Sequence, residues 1–231
     1  MHREIRTWDL SAADVRALNQ SLHDLKPGME DTHWRILSPE GAHAIACGLM
    51  VPVTVEIDGH VGYYCAGMNK DATVIIYGNA GVGVAENLMS GMVHVQGNAS
   101  QSAGASGHGG LLVIDGDASA RCGISMKGIS IVVKGSVGHM SAFMAQAGDL
   151  VVCGDAGEAL GDSIYEARIF VRGKVQDLGA DCIEMELPAD EREELAALLE
   201  RAESSARPED FRRYGSAREL YNFHIDHAGK Y

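Results

Sequence analysis

The chain has 231 residues and a formal charge of -13, with 32 acidic against 19 basic side chains. That length accommodates one sizeable domain with appendages, and that charge excludes a phosphate-backbone partner, which needs clustered Lys and Arg. Charges at the N-terminus where a signal peptide needs an apolar run, no apolar stretch long enough to span a bilayer, and an odd five cysteines without paired spacing predict a reduced, cytoplasmic protein.

Residues 1–52 precede a repeat block and read as a cap. Ser11 and Asp14 have the form of a capping box, and Val15, Leu18, Leu22 and Leu25 recur at helical spacing, predicting an amphipathic helix of about four turns that Pro27-Gly28 ends. Trp34 to Leu37 suggests a strand, and Ser38 to Gly41 a turn.

Residues 53–185 carry the dominant signal. Gly59, Gly78, Gly97, Gly116, Gly135, Gly154 and Gly173 are each 19 residues apart, the mark of stacked structural repeats. Four and two residues before every anchor glycine the side chain is aliphatic, as in Val55 and Ile57 or Leu150 and Val152. Two apolar side chains two apart face one side of a strand, so each unit contributes a short strand with that pair inward. Two residues after the glycine stands a small apolar side chain, from Val61 through Ala99 to Val175, which fits a tight inside corner. The residue directly after it is polar throughout, and the expectation is a turn in which the glycine accepts positive φ without steric cost. Seven such units share a continuous core, so the predicted fold is an all-β solenoid, a β-helix of seven 19-residue coils with flanking N- and C-terminal helices. A left-handed hexapeptide prism is disfavoured, because 19 does not divide by six.

Three residues before the glycine, on the outward side of the strand, stand Glu56, Ile75, His94, Val113, Val132, Val151 and Phe170. Stacking aligns Ile75, Val113, Val132, Val151 and Phe170 into an apolar stripe, a candidate interface that either a partner protein or the chain's own terminal helices must cover. Residues 186–231 supply a C-terminal helix from about Asp190 with a Leu195, Leu198, Leu199, Ala202 stripe. They also supply a tail holding Phe211, Tyr214, Tyr221, Phe223 and Tyr231, aromatic enough to dock on its own column or on another chain.

Chemistry is hard to find. His224 and His227 lack a convincing third metal ligand, and His94, His108 and His139 occupy three different repeat positions. Cys153 sits in a variable outward slot with no reason for thiol activation. Asp115 and Asp117 flank Gly116 without an acidic neighbour in adjacent coils, so no polysaccharide-cleaving pair is indicated. The glycine-rich run Gly97 to Gly110 lacks the lysine and the strand-loop-helix context of a phosphate loop. The expectation is a chain with no catalytic, cofactor or metal residue of its own. A stand-alone β-helix polysaccharide enzyme is the competing class.

The Gly-x-x-Gly-x-x-x-Gly pattern complete at Gly154, Gly157 and Gly161 resembles the GXGXG β-helix domain of the glutamate synthase family, and the similarity runs through nearly the whole chain. It includes Asn98 to Gly104, Ser141 to Gly148, Gly161 to Ala167 and Gly215 to Arg218. As a free-standing chain it is most similar to the small β-helix subunit of N-methylglutamate synthase. The resemblance implies a right-handed β-helix without catalytic residues, packed between a glutamine-amidotransferase-like subunit and a glutamate synthase-like subunit that binds FMN and an iron-sulfur cluster. Formylmethanofuran dehydrogenase and the formyltransferase/hydrolase complex contain such a subunit too. Ser100, Ser119 and Gln176 at the second motif position, and Ala66, Ala85, Ala142 and Ala180 at the third, depart from the pattern.

Overall fold

The computed structural model describes residues 5–29 and 32–218. The seven predicted repeat strands are present as β3 (Thr54–Ile57), β4 (Thr73–Ile76), β5 (Met92–Val95), β6 (Leu111–Ile114), β7 (Lys127–Val133), β8 (Ala147–Val152) and β9 (Arg168–Val171). Each pairs in parallel with the next at a 19-residue offset, as in Val55 with Val74 and Val74 with Val93, apart from a register shift at the start of β7, where Lys127 pairs with Ala147. The two aliphatic columns fill the interior: from Val55 and Ile57 to Ile169 and Val171, each is 0% exposed. The small residues after the corner form a second stack of parallel bridges, Val61 to Ala80 to Ala99 and on to Val175. The fold is an all-β parallel solenoid of about seven turns.

The corner glycines owe their identity to crowding, not to the positive φ expected of them. Only Gly59 of the seven has one (φ 138°). At Gly97 and Gly116 an added Cβ would run into the Asn79 and Asn98 side chains and the carbonyl of the glycine one coil below. Those side chains are there because the polar residue after each glycine hydrogen-bonds along the column. His60 Nδ1 accepts the Asn79 N–H (2.9 Å), Asn79 Oδ1 that of Asn98 (2.8 Å), and Asn98 Oδ1 that of Asp117 (2.8 Å). Asp117, Ser136 and Asp155 continue the ladder to the N–H of Lys174. Each rung satisfies a backbone donor at the corner, and a side chain on the glycine would occupy the space the rung needs.

The return path is left-handed backbone at alternate positions. Tyr64, Ala66 and Met68 (φ 56° to 59°) recur one coil on as Gly83, Ala85 and Asn87, then as Ser102, Gly104 and Ser106. Such φ values are costly for L-residues. The coils stabilise them by inter-coil hydrogen bonds that point alternately up and down: Tyr64 N–H to Val82 O, Ala66 N–H to Ile45 O and Met68 N–H to Glu86 O, all 2.8 to 2.9 Å. The third motif position, where alanine alternates with glycine, is the inward member of this set. At Gly104 a Cβ would meet the Ile131 Cδ1 at 2.5 Å.

Both ends of the column are closed by the chain itself. At the N-terminal end, β1 (Arg6–Asp9) and β2 (His33–Leu37) extend the sheet in parallel beyond β3. Helix α1 (Val15–His23) places Leu18, Leu22 and the following Leu25 into the interior core. It has 9 residues, fewer than the four turns expected, because Asp14 and not Ser11 is the N-cap, accepting the Ala17 N–H, and Asp24 already caps the C-terminus. Asn19 substitutes for a missing coil, donating to Ala44 O (2.8 Å) and accepting from Ala46 N–H (2.9 Å). At the far end β10 (Cys182–Met185) leads into α2 (Ala189–Arg201), a 3-10 turn and β11 (Arg212–Ser216). Strand β11 inserts antiparallel between β9 and β10, which ends the parallel stack. Of the tail aromatics, Phe211 and Tyr214 dock on the chain's own column, 5% and 2% exposed. Tyr221, Phe223 and Tyr231 lie outside the described residues. Among those residues no helix is long and apolar enough to cross a membrane.

Candidate functional site

The outer face of the sheet is where the repeat leaves side chains free to differ, and it divides into two halves. Over β6 to β9 it is apolar and covered. Val113, Val132, Val151 and Phe170 pack with Leu195, Leu198 and Leu199 of α2, with Ala202 at its C-cap and with Phe211 in a second core outside the column. Of the two ways to cover the stripe, the chain supplies its own. Four of the five candidate interface residues therefore meet α2, not another protein, because the helix presents a matching leucine row one short connection after β10. Each leucine so buried is worth roughly 1.5 to 3 kcal/mol. Arg168 bridges the two layers, held by Asp149 (2.7 Å) on β8 and Glu194 (2.6 Å) on α2.

Over β2 to β5 the same face is open and polar. Ile75, the fifth stripe residue, is half-buried between Glu56 and His94 in the adjacent strands. His33 pairs with Glu56 at 2.9 Å and Arg35 with Asp58 at 2.8 Å, while Asp115 collects His94 at 2.9 Å and Lys134 at 2.8 Å. Burial alone would raise the Asp115 pKa, but hydrogen bonds from Lys134 and His94 and their charges outweigh it and hold the carboxyl below its usual value. Tyr77, 39% exposed, stands beside this network, and burial together with the Glu56 carboxylate raises its phenol above the ordinary tyrosine range.

The structure separates the other groups that the sequence singles out. Asp115 faces out into the ion-pair cluster, whereas Asp117 is a rung of the corner ladder. The Gly97 to Gly110 run has no free N–H fan for a phosphate, since Ser102, Gly104, Ser106 and His108 donate to Ala120, Val84, Ile124 and Leu88. His108 and His139 are exposed on different coils, and His224 and His227 lie outside the described residues. All five cysteines are free thiols; burial raises Cys47, Cys65 and Cys153, and pushes Cys122 and Cys182 up to about 12. Among the described residues no three His, Cys, Asp or Glu side chains converge to hold a metal ion.

Sequence reasoning missed two structural devices. The corner ladder was visible as the column Asn79, Asn98, Asp117, Ser136, Asp155 but reads as turn propensity within one coil. Asn19 is a single polar residue on an apolar helix face and carries no repeat signal.

A parallel stack of 19-residue coils, closed at both ends and roofed on one face by its own helix, defines a β-solenoid protein. The chain belongs to the family of Protein GlxC from Rhizobium meliloti (strain 1021): the two are 59% identical over 224 residues, which cover 96% of this chain and 98% of that protein. No protein-family model matches the chain, and no solved structure matches it.

Proposed function

We propose that this chain is a non-catalytic structural subunit of a glutamate synthase-like complex, most closely an N-methylglutamate synthase, which converts methylamine and glutamate to N-methylglutamate and ammonia. In this reading it bridges the glutamine-amidotransferase-like subunit and the subunit that carries FMN and the iron-sulfur cluster. The observation that supports it is how the polar groups are employed. The corner carboxylates and amides are ladder rungs, Asp115 is held between His94 and Lys134, and burial keeps the thiols protonated. What remains for a partner is a rigid wall. Tyr63, Tyr64, Met68 and Met89 on its return path are 46% to 57% exposed, with Tyr63 stacked on His43 at 4.5 Å. The likeness to Protein GlxC, over 96% of this chain and 98% of that protein, is compatible with a subunit of this kind.

Co-expression with the amidotransferase-like and flavin subunits, followed by size-exclusion chromatography, tests the proposal. The chain should elute with both, and Tyr64→Glu with Met68→Glu should release it without changing its circular dichroism. Elution as a free monomer, or turnover of glutamate by the isolated chain, would refute the reading.

A further inference from the structure

The slot immediately before each anchor glycine forms a column on the outer face, and in four successive coils it holds Asp115, Lys134, Cys153 and Arg172. Adjacent coils are about 4.8 Å apart, so Lys134 and Arg172 emerge roughly 10 Å apart with the short Cys153 between them. Two long cationic side chains flanking a short one leave a notch. The segment that follows α2 closes it from the side, giving a cleft of about 170 Å³ lined by Lys134, Cys153, Arg172, Glu203, Ser204 and Ser205.

The charges in this cleft are unequally committed. Lys134 Nζ is held by Asp115 at 2.8 Å. Arg172 donates only its Nε, to the Cys153 carbonyl at 2.8 Å, and its terminal nitrogens have no carboxylate partner among the described residues. Ser204 Oγ lies 3.8 Å from Cys153 Sγ, which puts a hydroxyl at the floor of the notch. Glu203 is exposed at the rim and lowers the local positive potential without closing the cleft.

We propose that this cleft binds a small oxyanion of the phosphate class, with the Arg172 guanidinium as the bidentate anchor, Lys134 as the second charge and the Ser204 and Ser205 hydroxyls as further donors. A planar guanidinium whose terminal nitrogens are held by no carboxylate among the described residues matches two oxygens of such an anion. Cations on opposite walls suit a tetrahedral anion, which presents oxygens in both directions, better than a carboxylate, which presents them along one edge. The thiol floor sets the depth of the site and takes no part in charge balance.

Isothermal titration calorimetry of the full chain with inorganic phosphate at low ionic strength, with acetate as the comparison anion, tests this. Saturable phosphate binding is expected, weakened about tenfold or more by Arg172→Gln, an effect equal to about 1.4 kcal/mol, and unchanged by Arg201→Gln at an exposed position of α2. Cys153→Leu, which fills the notch and leaves both cations in place, should abolish binding, and circular dichroism reports whether each variant keeps its fold. Acetate should bind far more weakly. No saturable phosphate binding, equal loss on Arg201→Gln, or full binding by a folded Cys153→Leu variant would overturn the site.

Discussion

Replacing Gly116 by alanine isolates the corner ladder. A Cβ there falls within the van der Waals shell of Asn98 Oδ1 and 2.9 Å from the Gly97 carbonyl oxygen. The Asn98 side chain must swing away, and Asp117 N–H loses its 2.8 Å acceptor, at a net cost of about 1 kcal/mol because the corner is wet enough for water to substitute. The carbonyl clash cannot be relieved by a rotamer, so the two coils must part slightly, for about 1 to 3 kcal/mol. Reduced freedom of the unfolded chain returns roughly 0.5 kcal/mol. Gly116→Ala should therefore destabilise by about 1.5 to 3.5 kcal/mol, and Asn98→Ala by about 1. In the double variant the Asn98 bond is lost only once, so the pair should cost about 1 kcal/mol less than the sum of the single changes. Guanidinium denaturation of the four proteins, followed by circular dichroism, measures that cycle. Additivity within about 0.3 kcal/mol would refute the claim that glycine is required because a side chain from the coil below fills its space.

Three further changes probe the caps and the core. Val132→Asp places a charge in the fully buried layer under α2, which should cost several kcal/mol and release the helix from the sheet; rapid cleavage around residues 186–189 with the strand signal intact would report it. Asn19→Ala removes both the Ala44 and Ala46 bonds, and should cost about 1 to 3 kcal/mol with accelerated hydrogen exchange at the Ala46 amide. At alkaline pH the Cys122 thiol stays protonated in the folded chain up to about 12, against 9.0 when exposed. The unfolded state therefore ionises first as pH rises. The Cys122 contribution should be constant below pH 9 and fall above it by about 1.4 kcal/mol per pH unit, and in a denaturation series Cys122→Ala should make the decline shallower by that amount while the other buried thiols keep their shares.

The inward columns were legible because both their period and their chemistry are local: Leu150 and Val152 declare a strand face by themselves, and the 19-residue interval declares the stack. What acts between coils was less so. The reason for Gly97 and Gly116 lies in a contact with a residue 18 positions earlier, and a single coil viewed alone offers only positive φ as an explanation. The stripe of Val113, Val132, Val151 and Phe170 and the leucine row of α2 were both visible, but whether they meet depends on the direction in which the chain leaves β10. The reversal that sets β11 between β9 and β10 has no repeat to announce it. The oxyanion cleft is implicit in the column Lys134, Cys153, Arg172, yet it forms only once Ser204 and Ser205 are brought over it.

The corner ladder has one direction: in every coil the side chain accepts and the next coil's amide donates. A unit of 19 residues can consequently be spliced in or out with each rung still finding its complement, whereas departures from that length must be absorbed within a coil, as where Lys127 pairs with Ala147 and Leu160 with Leu178. The wall is thus a ruler with graduations of about 4.8 Å. Equivalent side chains on different coils are therefore spaced in whole graduations, and never by fractions of one.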